Sequence, residues 1–595
     1  MPGWVKLSAG VITVAAVLFG ITYFLLPMGL NQTDLRFQLE RQIADLSGIT
    51  FSVNGDTSIS FFPLRVELTD VSSKDALGAV TINAKRVEAR FSATSALVGQ
   101  IDVKSITLDS AHVTVRRKPD SQLDAFGSGG LLGPAIKMAK AAIDADHKVP
   151  DLASITNRSL GSVRFANSTL SLIRADGHED LLQNVNADFS WRTLRGGAAM
   201  SGSADWRGEA FKFDLDVSSP LLLASGGTSA VIFNFSSAPL NFSFNGDCDL
   251  SADFFGDGNL TLTAASISKV LSWSATPMHP ASDFGSVDLA GRLTASKGIM
   301  KFGDLQLSLD SKPATGTLEV DLTEDIAKLA GTLAFESVDL SSLVQSSLLD
   351  FAGGAPGMER SAPFSGLALD LRLSATSAGF GAITIKNAAG TIRHDAGTTL
   401  LDIGNGELAG GDVSGSLQLS GGSTSRNAAL KFSARGVKLG EISTNPTLPK
   451  IDAPVNLKFE LSGPFKTLPE FLQVGEGALS AEAAAGIIRN FSADSFAGAV
   501  GNGQIFALPE TYSGLSTLET AVITAKLTKG AALVEASEVN INGHRIVLTG
   551  AIPYVSGGVA LNGVIAGQGN SANWTPFFIG GSWDKPFVTL VPLQQ

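Results

Sequence analysis

The chain has 595 residues, of which 44% are hydrophobic and only 17% charged, and it contains 64 glycines. A formal net charge of -12 excludes a nucleic-acid binder, which needs a basic face to neutralise phosphates. The single cysteine, Cys248, excludes an intrachain disulfide, and ordered apolar patterns along the whole length exclude disorder.

The first element is the uncharged run from Leu7 to Leu26, whose length suits one crossing of a hydrocarbon core about 30 Å thick. Leu7, Val11, Val14, Leu18, Ile21 and Leu25 are its anchor positions. Lys6 precedes it and Asp34 is the first charge after it, so the positive-inside bias keeps the N-terminus cytoplasmic and exports the rest. Pro27-Met28-Gly29-Leu30 lacks an Ala-x-Ala site, so the run reads as an uncleaved anchor. Thr33 and Asp34 then open a short amphipathic helix with Leu35, Leu39, Ile43 and Leu46 on one face, ended by Gly48.

From Ile49 onward the period is two. Leu64, Val66 and Leu68 alternate with Arg65, Glu67 and Thr69, and the same alternation carries Phe211 and Phe213, Phe233 and Phe235, then Phe242 and Phe244. It continues through Leu305 to Leu309, Leu318 to Leu322, Leu369 and Leu371, and Leu457 and Phe459, as far as Ile546 and Leu548. Each run predicts a strand with one dry and one wet face. Asp176-Gly177, Asn245-Gly246, Asp257-Gly258 and Asn542-Gly543 read as tight hairpin turns with positive φ, which predicts antiparallel pairing in sequence order. Helix signals are few: Pro134 to Asp146, Ala265 to Trp273, Leu340 to Phe351 and Ala493 to Phe506, each expected to cap, plug or cross over. On the order of 30 strands at about 4.8 Å spacing extend roughly 100 to 150 Å. Such a sheet curls into a trough, folds into sandwiches or divides into modules, and the pattern alone leaves all three open.

Chemistry-bearing constellations are missing from the sequence. The six histidines (His112, His147, His178, His279, His394 and His544) form no ligand pair at metal-site spacing. Ser266-Ile267-Ser268-Lys269 has the Ser-x-x-Lys spacing without its companion motifs, and Asp253, Asp257 and Asn259 around Gly258 read as a hairpin tip. Cys248 reads as a buried small hydrophobe. We expect no catalytic site, cofactor or metal. The functional candidates are the apolar strand positions Leu64, Val66, Leu68, Phe211, Phe213, Phe233, Phe235, Phe242, Phe244, Leu369, Leu371, Leu457 and Phe459.

Several motifs in order resemble the AsmA family of envelope proteins. They are the anchor and the helix ending at Gly48, then Val53-Asn54-Gly55, Phe62 to Val71, Val87 to Phe91 and Leu97-Val98-Gly99-Gln100-Ile101. Phe284 to Leu289, Phe302-Gly303-Asp304-Leu305, Leu369 to Ala375, Leu408 to Gly411 and Gly581 to Pro586 follow. The resemblance implies a mainly β fold: an N-terminal transmembrane helix, then a long curled, mostly antiparallel sheet forming an apolar groove, with a few short helices. It divides the chain into an anchor (1–30), an N-terminal helix and β segment (31–125), a central β-groove region (126–360) and a C-terminal β region (361–595). It implies a single-pass inner-membrane protein with a periplasmic body that binds or conducts phospholipid between the two membranes in outer-membrane biogenesis. The alternative is a non-enzymatic scaffold for outer-membrane proteins without a lipid channel. Phospholipids and the inner membrane are the expected partners, with outer-membrane or envelope proteins as further candidates.

Overall fold

Side chains that alternate between apolar and polar allow a strand to bury one face and hydrate the other, and 32 strands form on this principle among the described residues. The computed structural model describes most of residues 50–591 together with Phe37, Glu40 and Arg41. The longer stretches outside the described residues are 1–36, 42–49, 75–79, 93–102, 117–131, 146–154, 251–253, 275–284, 342–366, 422–425, 443–447, 568–573 and 592–595. The expected anchor and most of the helix from Thr33 to Gly48 fall there, as does most of the expected helix from Leu340 to Phe351. Among the described residues no helix is long and apolar enough to cross a membrane.

The chain forms two compact units, Met1–Trp273 with Val287–Gly303, and Ser274–Ser286 with Asp304–Gln595. In the first, β1 (Thr50–Val53) and β2 (Thr57–Phe61) both pair with β3 (Leu64–Lys74). There follow β4 (Val80–Phe91), β5 (Val103–Arg116), β6 (Ser162–Ile173), β7 (Glu179–Trp191), β8 (Ala198–Trp206) and β9 (Glu209–Val217). They continue with β10 (Ser229–Ser237), β11 (Leu240–Asp249), β12 (Phe255–Ala264) and β13 (Val287–Ser296), each bonded to its predecessor. The division between units falls within β14 (Ile299–Leu309).

The second unit runs through β15 (Lys312–Asp321), β16 (Ala327–Asp339), β17 (Leu367–Phe380), β18 (Ile383–Asp395), β19 (Thr398–Leu408), β20 (Gly411–Gly421) and β21 (Arg426–Lys438). Next come β22 (Lys450–Asp452), β23 (Pro454–Pro464), β24 (Glu476–Ala483), β25 (Gly486–Arg489) and β26 (Phe506–Ala507). It finishes with β27 (Leu515–Thr528), β28 (Ala531–Ile541), β29 (His544–Ile552), β30 (Gly558–Ala566), β31 (Trp574–Ser582) and β32 (Lys585–Leu590). Within each unit the sheet is mixed rather than purely antiparallel. β5 pairs parallel with β6 and β16 parallel with β17, because a long connection returns the chain to the starting edge. Order is also broken where β24 and β25 both pair with β27, and where β26 returns to pair with β32.

Two expected turns are strands. Asn245-Gly246 and Asp257-Gly258 lie mid-strand in β11 and β12, where Gly246 faces Gly258 in register. Neither glycine has a positive φ; what they supply is close approach. A Cβ on Gly258 would lie 2.5 Å from the Gly246 Cα, so the pair tolerates no side chain. The reading of Asp253, Asp257 and Asn259 as a hairpin tip falls with it, at least for Asp257 and Asn259, which are ladder residues of β12. Asn542-Gly543 is a turn, with φ of 47° and 72°, as the β28–β29 hairpin requires.

The helices with described bounds are short: α1 (Leu132–Ala145), α2 (Pro220–Ala224), α3 (Ile267–Ser274), α4 (Leu439–Ile442), α5 (Leu468–Val474) and α6 (Ala493–Gly501). Sequence periodicity finds α1, α3 and α6, although α6 stops five residues short of Phe506. It misses α2, α4 and α5, which are too brief for a 3.6-residue period to emerge. Caps carry the signal instead: the Thr467 hydroxyl accepts from Glu470 N–H to start α5, and Ser492 accepts from Ser495 N–H to start α6.

Candidate functional site: the apolar sheet face

Register decides which apolar residues become neighbours. In the first unit Val66, Ala89, Ile106, Val163 and Phe189 lie directly opposite one another across β3 to β7. Met200, Leu215, Phe233, Phe244 and Leu260 continue the same row across β8 to β12. A second row runs beside it through Leu68, Val87, Leu108, Phe165 and Ala187, then Gly202, Phe213, Phe235, Phe242, Leu262 and Leu289. Eleven strands at about 4.8 Å give this second row a length of about 50 Å along the sheet.

Exposure changes along the rows. Leu64, Val66 and Leu68 are buried in β3, and Val66 is wholly inaccessible. Phe211, Phe213, Phe233, Phe235 and Phe242 are half-buried, while Phe244 is buried. These six form one aromatic field. Ring centroids lie 5.1 Å apart for Phe211 and Phe235, 5.9 Å for Phe233 and Phe242, and 6.1 Å for Phe211 and Phe213. Helices bound the field at both strand ends. At one end Ala135 and Ala139 of α1 and Leu221 of α2 bury Trp191, Leu194 and Ala198. At the other, Trp273 of α3 packs edge-on against Trp206 at 4.9 Å and near Phe235 at 6.2 Å, its indole N–H donating to the Trp206 carbonyl at 2.9 Å. The Arg207 guanidinium covers the Trp206 ring at 4.9 Å and reaches Asp180 at 3.3 Å.

The second unit repeats the arrangement with leucines. Leu371, Ile392, Leu401, Leu417, Leu430 and Leu461 are opposite one another from β17 to β23. Leu369 is buried beside a polar interruption: His394 and Thr399 occupy the next two places in its row, joined by a 2.8 Å hydrogen bond. Burial pushes the His394 imidazole below its ordinary value, against a smaller upward pull from Asp395. On β23, Val455 and Leu461 are buried while Leu457 and Phe459 between them are half-buried. The Leu461 end is covered by Phe465 and by Phe471 of α5. Leu457 packs against the cluster of Val437 and Ala434, which includes Ile442 of α4. Leu371 and Phe459 belong to different rows and are separated by β18 to β21, so the structure does not bring these candidates together.

The opposite face is polar and pinned by ion pairs. Arg292 donates to Asp257 through two bonds of 2.9 and 2.7 Å, holding that carboxyl below its usual range, and Arg545 does the same for Glu538 at 2.7 Å. Cys248 is half-buried beside the aromatic field, and burial, with Asp247 and Asp249 adding to it, pushes its thiol up and away from reactivity. Among the described residues no cluster of His, Cys, Asp and Glu could hold a metal ion.

Sequence reasoning read Leu215 as part of an apolar strand face and Leu289 as part of a motif without carrying either into the site, and it missed Leu260 and Leu262, which complete the aromatic rows with them, and Ile392, Leu401, Leu417 and Leu430 in the second unit. Their own alternation was a usable signal. Trp206 and Trp273 had none, since only tertiary packing brings a strand end and a helix together. Comparison with known proteins gives no match to a family model, to a curated protein or to a solved structure.

Proposed function

We propose that this is a membrane-anchored periplasmic protein whose sheet curls into an apolar groove that binds phospholipid acyl chains and conducts them between the inner and outer membranes. On this reading the Leu7 to Leu26 run is the inner-membrane anchor, the partners are phospholipids, and the process served is outer-membrane biogenesis. The reading rests on one observation: the half-buried aromatic field of β9 to β11, continuous with apolar rows across the first unit and bounded by helices at both strand ends. A contiguous apolar surface in contact with water is unfavourable by about 25 cal/mol per Å², and an acyl chain laid on it regains about 0.8 kcal/mol per buried CH₂. The face offers aromatic and branched aliphatic groups in continuous rows, a lining suited to carrying apolar chains.

The test is photocrosslinking of lipid to the full chain in cells, with aspartate placed at Phe213, Phe242 and Leu371. Crosslinking is expected to fall to background while the proteins remain folded. Undiminished crosslinking in all three folded variants overturns the reading. One observation favours the second reading, an assembly scaffold without a channel: α6 fills the face at the C-terminal end, where Phe496 meets Phe577 at 5.3 Å. A stoichiometric protein partner, with no phospholipid copurifying, decides for the scaffold.

A further inference from the structure

The alternation of the first unit slips at one level in five neighbouring strands. In β3 the buried series Leu64, Val66, Leu68 resumes at Val71, and in β4 Ala84 is followed by Val87 rather than by residue 86. In β5 the step is from Leu108 to Ala111, in β6 from Phe165 to Ser168, and in β7 from Leu182 to Val185. Four of the inserted residues, Asp70, Ser110, Asn167 and Asn184, have left-handed φ values of 47° to 50°. Register shows that they lie on one line: Val71 is opposite Ala84, Ala84 opposite Ala111, and Ser168 opposite Val185.

Freed backbone groups along the line are not left bare. Ala111 N–H donates to the Ser168 hydroxyl at 3.2 Å, which donates to the Ala166 carbonyl at 2.9 Å. Asn167 N–H donates to the Asn186 side chain at 3.0 Å, whose amide donates to the Asn184 carbonyl at 2.9 Å. A defect would not be satisfied in this way. The residues on the inner side of the line are Val71, Ala84, Ala111, Ser168 and Val185, all small for their position and all buried. By contrast β9 to β13 pair residue for residue without a slip, and their apolar rows stay largely half-buried.

We propose that this line is a crease built into the fold: aligned left-handed breaks in the extended backbone bend β3 to β7 at one level, turning the apolar residues on its two sides toward each other and closing that part of the face. Small side chains at the fold line make room for the bend, since a left-handed residue turns a strand out of its extended course. The face opens where the left-handed breaks end, so strands β9 to β13 are the part a ligand reaches. This localisation rests on the lipid reading above; the crease itself does not.

The experiment uses the full chain with Cys248→Ser and a reporter Ala111→Cys on the crease, compared with Lys104→Cys on the exposed side of the same strand. Maleimide is expected to react with the reporter on the order of 100-fold more slowly than with the exposed cysteine. Ser110→Val with Asn167→Val places β-branched residues at left-handed φ and is expected to release the reporter and to extend lipid crosslinking from Phe213 to Val66. Ser110→Gly with Asn167→Gly, which relieves the same strain, is expected to leave it protected. A reporter that reacts as fast as Lys104→Cys in the Gly variant or in the parent overturns the crease, and so does a folded Val variant whose reporter stays protected. If the Val variant does not fold, the parent and Gly measurements decide alone. Loss of all lipid crosslinking in the parent, with the reporter still protected, sinks the lipid reading and leaves the crease standing.

Discussion

The aromatic field of β9 to β11 and the C-terminal cap of β28 to β32 begin from the same sequence pattern and end differently. Both place apolar residues two apart on a strand, Phe211 with Phe213 and Phe233 with Phe235 in the one, Ile546 with Leu548 and Phe577 with Ile579 in the other, yet the first set stays half-buried while Ile546 and Phe577 are buried. The difference is a covering segment. Between β25 and β26 the chain makes α6, and β26 returns to the free edge of β32 by pairing Phe506 with Val588. That return lays Phe496 against Phe577 at 5.3 Å and Phe506 at 6.0 Å, and it is locked by Asp494, which accepts from Asn542 at 3.1 Å and bonds His544 at 3.0 Å. On β9 to β11, among the described residues, the helices reach only the strand ends. An apolar face is therefore a core or a binding surface according to what the topology lays over it.

The sharpest way to break this comparison is truncation on each side of it. Phe496→Ala is expected to lower stability by about 3 to 5 kcal/mol because the ring leaves a cavity in a closed core, whereas Phe235→Ala, already partly hydrated, is expected to cost under about 2 kcal/mol. Denaturant unfolding of both variants checks the difference, and equal losses would mean that the aromatic field is packed as a core too.

A second measurement probes the glycine pair beside the aromatic field. Gly258→Val drives a side chain into Gly246 and the Asn245 carbonyl, with an expected loss of about 2 to 4 kcal/mol. Gly177→Ala has free space and only an unfavourable positive φ to contend with, so about 1 kcal/mol is expected there.

The smallest effect is expected from pH. His394 titrates below its ordinary value of 6.5 in the folded chain, so the unfolded chain binds its proton more readily. Stability from this group is intact above about pH 6.5, falls as the pH drops through that value, and levels off once the folded-state value is passed. Unfolding midpoints between pH 5 and 8 are expected to show this slope, and His394→Gln to flatten it.

Much of the strand content was legible because a period of two is local: Leu64 to Leu68, Phe211 to Val217 and Val455 to Leu461 needed no knowledge of their neighbours. The slip at Asp70, Ser110, Asn167 and Asn184 was harder to see, since one extra residue per strand looks like an end to the pattern until register shows the insertions aligned. Asn245-Gly246 and Asp257-Gly258 misled for a related reason. Glycine serves both left-handed turns and close backbone approach, and the dipeptide carries no mark of which.

What the sequence determined by itself was a chain of one-sided strands, because side-chain alternation and turn chemistry act over a few residues. Which strands run parallel, where β26 returns, and which apolar positions are covered were decided only in three dimensions. Those outcomes depend on register and on distant segments meeting, and no local pattern of hydrophobicity records them.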